Sequence, residues 1–198
     1  MRRKAWNNYK DPVSGWSMTT KGWSYGRKYH MAIDVDSLII MEWLVTKGNM
    51  NDSHVSHDMV DSVRYLSYIL ADSAYDASDI YDYVFENTHA LPVIDTNKRR
   101  GIVGNRLPVN RKIGIQLRKE YASMYPLIWE IECTFSILEE ILKYENVRYT
   151  INRDYDTAMG IKAIEYNLII ISNRELGEKQ RKIMKIVSCK NMRQSKSL

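Results

Sequence analysis

"YILADSAYDASDIYDYVFENTHALPVID", residues 68–95, reads as strand, helix, strand. "YILAD" (68–72) is a short apolar run that closes on a carboxylate, "ASDIYDYVFEN" (77–87) has helical character, and "ALPVID" (90–95) is a second short apolar run. Upstream, "KYHMAID" (28–34) and "LIIMEWLVT" (38–46) read as strands joined by a tight "DVDS" turn, which predicts an antiparallel hairpin. Between hairpin and strand, "NDSHVSHDMVDSVRYLSY" (51–68) places Val55, Met59, Val63 and Leu66 at helical spacing, with Asp52 or Ser53 as the cap. The order β, β, α, β, α, β predicts an α/β fold with a mixed sheet and helices on its faces.

Downstream, Pro126 fits the first turn of a helix over "PLIWEIECTFSILEEILK" (126–143) that is apolar nearly all round, as expected of a helix buried between layers. A second long helix is expected over "DTAMGIKAIEYNLIIISN" (156–173), and "GEKQRKIMKIV" (177–187) reads as a basic helix before a polar tail. The first 28 residues, rich in Gly, Trp, Lys and Tyr, show no clear period and read as irregular. Expected boundaries are thus an N-terminal segment 1–28, a core domain 29–175 and a basic tail 176–198.

With 198 residues, 44% of them apolar, the chain has enough material for one packed core. No apolar run reaches eighteen residues and the N-terminus lacks the apolar centre of a signal peptide, so a cytoplasmic protein without membrane partners is expected. Cys133 and Cys189 lack metal or redox spacing. The net charge of +5 conceals an asymmetry: residues 1–97 carry 9 basic and 13 acidic side chains, and residues 98–198 carry 20 and 11. The stretch "KRRGIVGNRLPVNRKIGIQLRK" (98–119), read as a loop, has eight Lys or Arg and no acid, which points to a polyanion such as nucleic acid.

Three acids draw attention. Asp72 ends a sheet strand, where α/β folds collect reactive groups, although an Asp there also caps the following turn. Asp34 is most simply a turn residue. Glu132 interrupts the apolar 126–143 helix between Ile128 and Phe135, one turn to either side; a buried carboxylate needs a partner, either an arginine or a cation. Carboxylates from a strand end and a facing helix suit hard divalent cations. Two ions about 4 Å apart activate a hydroxyl and stabilise the leaving oxygen of a phosphodiester. Other clusters are weaker. Asp52, His54, His57 and Asp58 read as a solvated helix start rather than a zinc site. Trp16, Trp23 and Tyr25, interleaved with Lys21, Arg27 and Lys28, either stack on bases or pack on the sheet edge. Neither a glycine-rich phosphate loop nor a serine-hydrolase elbow is present.

"GWSMTTKGWSYGRKYHMAIDVDS" (15–37), "TKGNMNDS" (46–53), "ILADSAYDASDI" (69–80), "LPVIDTNKRRG" (91–101) and "WEIECTFSILEE" (129–140), in this order, resemble the catalytic domain of insertion-sequence DDE transposases over roughly residues 11 to 173. That resemblance implies a ribonuclease H-like fold in which two Asp and one Glu bind two Mg2+ ions. It assigns the second catalytic Asp to Asp72 and the catalytic Glu to Glu132, both as metal ligands. In the family's closing motif, Tyr125 and Glu132 match, whereas Ile128 stands where an Arg is usual and Glu139 where a Lys is usual. The first catalytic Asp is expected on a strand ahead of residues 28–34, and nothing before residue 29 reads as that strand, so a shortened copy lacking its first strand is expected. The implied function is metal-dependent DNA strand cleavage and transfer in transposition; the alternative is a non-catalytic DNA-binding remnant, or an inhibitor of full-length transposase. DNA contacts are expected from Lys98, Arg99, Arg100, Arg106, Arg111, Lys112 and Tyr125. The implied partners are DNA and a second copy or a full-length transposase.

Overall fold

The computed structural model describes residues 14–19, 22–63, 65–97, 107–142 and 152–180. Strand β1 (Gly15–Thr19) turns back on the long β2 (Gly22–Ile33), which pairs further along with β3 (Ile40–Lys47), all antiparallel. A 3-10 turn, Asp52–Val55, leads into α1 (Ser56–Ser62). Then come β4 (Tyr68–Ala71), α2 (Ser78–Asn87), β5 (Leu91–Ile94), α3 (Val109–Glu120), a 3-10 turn Tyr125–Ile128, α4 (Trp129–Glu140) and α5 (Asn152–Glu175). β4 and β5 are parallel neighbours with α2 as their crossover. The architecture is α/β, as expected. The mixed sheet is realised among the described residues as two separate ladders, an antiparallel triplet and a parallel pair.

Four local differences from the sequence reading have physical causes. Residues 15–28 are strand rather than irregular: Trp16, Met18, Trp23 and Tyr25 share one face of the β1–β2 ribbon, opposite Gly and Ser. That face is largely open, with Trp23 70% and Met18 68% exposed, so no apolar-inside alternation marks it. Asn51, rather than Asp52 or Ser53, caps the 3-10 turn that leads into α1, accepting a hydrogen bond from the Ser53 N–H, and α1 ends at Ser62, leaving Val63 and Leu66 beyond it. The second half of the basic stretch is not loop but α3. Finally, α4 is not enclosed on all sides: Thr134 and Leu138 are buried, and Trp129, Glu132, Ser136, Glu139 and Glu140 face outward.

Two apolar centres hold the fold. In one, Met31, Leu38 and Ile40 of the hairpin pack on Leu138 and Leu142 and on Ala163, Tyr166 and Ile170 of α5. The Asn167 side chain fastens α5 to the hairpin by accepting from the Ile40 N–H (2.8 Å) and donating to the Ile40 carbonyl (2.9 Å). The Asp34 carboxylate closes the β2–β3 turn, accepting from the Ser37 N–H at 2.9 Å. The other centre gathers Ala77, Ile80, Tyr81, Val84, Ala90 and Ile94 around α2 and β5. Helix α3 approaches it through Gly114, where a Cβ would lie 2.1 Å from a ring carbon of Tyr81; no larger residue permits this contact. Tyr29 of β2 meets Phe135 of α4 edge to face, and Lys28 pairs with Asp52 at 2.8 Å, tying the hairpin to its surroundings.

Candidate functional site

The parallel pair places two acids side by side. Ala71 stands in register with Ile94, so Asp72 and Asp95 leave adjacent strands at their carboxyl ends, and the Asp95 N–H donates to the Ala71 carbonyl at 3.1 Å. Asp72 is exposed, and its Oδ1 accepts from the Ala74 N–H at 2.8 Å, so it caps the 3-10 turn Ser73–Tyr75. The capping reading of Asp72 therefore holds in the structure. It leaves the second carboxylate oxygen available to chemistry, because one bond does not exhaust a carboxylate.

Four residues on, Asp76 has the opposite environment. Its side chain has no solvent exposure and is clamped by Arg111 of α3, with Nε donating to Oδ1 at 3.0 Å and Nη2 to Oδ2 at 2.7 Å. The Asn97 N–H (2.8 Å) and the Tyr81 hydroxyl (3.2 Å) complete the set. Burial by itself pushes the Asp76 carboxyl up; the Arg111 and Asn97 hydrogen bonds and the Arg111 charge outweigh it and hold the group below the usual carboxylate range. A fork-to-fork pair of this kind fixes orientation as well as charge.

Helix α3 contributes a second arginine on the same side. The Arg118 guanidinium lies 3.6 Å from the centroid of the Tyr125 ring, and its Nε is 3.6 Å from Asp95 Oδ1, an ion pair too long for a hydrogen bond. Tyr125 then reports on the whole neighbourhood. Its hydroxyl is pushed above the ordinary phenol value first by burial, then by the charges of Asp95, Asp72 and Glu132, with Arg118 opposing. Acids from the ends of β4 and β5 and from the first turn of α4 thus act on one phenol.

Glu132 needs a correction. The expected buried carboxylate among apolar neighbours is exposed, because the inward stripe of α4 runs through Ile131, Thr134, Phe135 and Leu138 and turns Glu132 away from it. No cation is required to neutralise a carboxylate already in water. Among the described residues, no three His, Cys, Asp or Glu gather closely enough to hold a metal ion.

Of the residues expected to contact DNA, Lys98, Arg99, Arg100 and Arg106 lie outside the described residues. Arg111 is engaged by Asp76, Lys112 is exposed on α3, and Tyr125 is half-buried beneath Arg118. The residues missed in sequence are Asp76, Asp95 and Arg118; the spacing "YDxxxxY" from Tyr75 to Tyr81 gives no hint of a partner for Asp76 35 residues away. Among the histidines, His57 stacks on the Tyr83 ring with centroids 3.9 Å apart, and His54 is exposed.

Residues 4–168 match the family model described as the transposase DDE domain. The chain belongs to that family. The match takes in Asp72, Asp95, Glu132 and both apolar centres except Ile170, and it relates the chain to DNA transposition. No curated protein and no solved structure matches the chain significantly. No helix of the described residues is long and apolar enough to cross a membrane.

Proposed function

We propose that this transposase-family chain acts in metal-dependent cleavage and transfer of DNA strands during transposition of an insertion sequence, on a ribonuclease H-like arrangement, with Asp72 and Glu132 as metal-binding carboxylates. The supporting observation is the parallel pairing of β4 with β5, which brings exposed Asp72 beside Asp95 at the carboxyl ends of two adjacent strands. Both proposed ligands are exposed hard oxygen donors, as Mg2+ requires, and both sit on regular framework, at the end of β4 and in the first turn of α4. Bound divalent ions would supply activation of the attacking hydroxyl and stabilisation of the leaving oxygen. The chain's own contribution is to hold Asp72: the Ala74 N–H fixes its carboxylate, and the Asp76–Arg111 clamp fixes the segment that follows it. Arg118 holds the ring of Tyr125 beneath its guanidinium and leans on Asp95. Exposed Lys112 and the basic residues 98–106 would meet phosphates without reading sequence, so DNA binding should fall steeply with salt.

A second reading is favoured by the absence of any gathered group of three metal-binding side chains among the described residues. In it the protein binds DNA, or pairs with full-length transposase, without cutting. The experiment that separates them follows Mg2+ binding by calorimetry and strand cleavage of element-end DNA by gel, for the natural chain, Asp72→Ala and Glu132→Ala. Magnesium uptake and cleavage that both variants abolish support the enzyme; salt-sensitive DNA retention with neither supports the binding protein.

A further inference from the structure

We infer that the aromatic face of the β1–β2 ribbon is a stacking platform for unpaired nucleotides of DNA, bordered by a rung of two cations that meets the phosphate. This rests on the DNA-binding part of the reading above and not on metal or cleavage. Trp16 stands opposite Tyr25 and Met18 opposite Trp23, so three rings and a polarisable thioether fill two successive rungs of one face. Met18, Trp23 and Trp16 are 68, 70 and 41% exposed, and the Trp16 and Tyr25 ring centroids lie 5.2 Å apart. Successive rungs on one face of a strand are about 6.7 Å apart, twice the roughly 3.4 Å rise of stacked bases.

The ribbon is anchored where it leaves the hairpin. The Gly48 N–H donates to the Gly26 carbonyl at 3.0 Å, and a Cβ on Gly48 would lie 2.5 Å from the Gly15 carbonyl oxygen, so β1 and β3 meet end to end along β2. Tryptophan on a strand held in this way has few rotatable bonds to lose when a base covers it.

Charge says what the platform receives. Next along the same face, Arg27 stands opposite Lys47. Lys47 is exposed and enters no ion pair among the described residues, and the Arg27 guanidinium lies 4.5 Å from the centroid of the Tyr155 ring. Residues 12–33 contain no Asp or Glu. An apolar protein partner needs neither cations at the edge of the patch nor the exclusion of acids from it. A nucleotide strand uses both, because every base offers a π face and every linkage an anion. Unpaired bases fit and paired ones do not, since a duplex keeps its base faces inside its own stack.

The test uses the full chain without metal and follows the anisotropy of labelled oligo(dT), about 12 nucleotides long, beside a duplex of the same length. The natural chain should bind oligo(dT) with quenching of tryptophan fluorescence. Trp23→Leu, which keeps apolar area and removes the ring, should weaken that binding about tenfold, while Trp23→Phe retains most of it and duplex binding is unchanged in both. Lys47→Ala should instead lower the slope of log affinity against log salt by about 0.7, a slope that Trp23→Leu leaves alone. Both side chains are exposed, so the circular dichroism spectrum should be the natural one in every variant.

A chain that binds neither probe overturns this inference together with the DNA reading. Duplex binding without oligo(dT) binding overturns the platform alone, as does an oligo(dT) affinity that Trp23→Leu does not change or that Leu and Phe lower equally. Loss of self-association in Trp23→Leu with oligo(dT) binding intact would give the face to a protein instead. Tighter binding of oligo(U) than of oligo(dT) would overturn the choice of DNA.

Discussion

Asp72 and Asp76 are the same residue type four positions apart, yet one lies in water at the end of β4 and the other is sealed behind it by Arg111. The contrast separates two uses of a carboxylate. Asp76 spends both oxygens on Arg111, Asn97 and Tyr81, which positions α3 against the parallel pair but leaves nothing for a ligand. Asp72 is committed by one hydrogen bond from Ala74. In a region expected to do chemistry, burial marks the framework and exposure marks the groups that can exchange partners.

The comparison breaks most severely at Asp76. Asp76→Ala leaves the Arg111 guanidinium, only 12% exposed, without its counter-charge, and removal of one member of a buried pair costs about 3–5 kcal/mol. Urea denaturation should show that loss, and a variant within 1 kcal/mol of the natural chain would refute the clamp. The same pair sets a pH dependence. A carboxyl held below its ordinary value in the folded state binds fewer protons than in the unfolded chain, so its contribution is complete above about pH 4 and disappears as pH falls through the lowered value. Asp76→Asn should flatten the acid limb of a stability-versus-pH curve relative to the natural chain.

Next in size is Gly114→Ala. The added methyl meets the Tyr81 ring, itself fully buried, so α3 must move away from α2 at a cost of about 1–3 kcal/mol. The movement carries Arg111 and Arg118 with it, and tyrosine fluorescence and thermal melting should change together. An unchanged melting temperature would mean that α3 is not held where its arginines require.

The two halves of the molecule differ in how far they could be read in the sequence. The hairpin, the strand–helix–strand unit and the long C-terminal helix were legible because each buries a face with the proper period. The β1–β2 ribbon was not, since its aromatic face points to solvent and small residues occupy the other. The α4 helix misled for a related reason: its buried stripe includes Thr134, whose hydroxyl bonds the Glu130 carbonyl and meets the Tyr166 hydroxyl, so the apolar positions in its sequence do not outline its inward face. Asp72 and Glu132 stood out as acids at a strand end and on an apolar helix. The Asp76–Arg111 clamp joins residues 35 apart and has no local signature.

The smallest stability effects fall on the two carboxylates proposed to bind metal, and this is what makes them decisive. Asp72→Ala removes a cap of a three-residue turn, at a cost of about 0.5–1 kcal/mol. Glu132→Gln changes an exposed side chain and should stay within about 0.5 kcal/mol of the natural chain. If these positions were framework, their replacement would lower stability and function in parallel, as at Asp76. If they exchange partners with a cation, Mg2+ should raise the melting temperature of the natural chain through mass action, and the increment should vanish in both variants while their metal-free melting temperatures remain near the natural value. A magnesium-induced increment that survives Glu132→Gln would remove that residue from the site and leave Asp72 and neighbouring Asp95 as the candidate ligands.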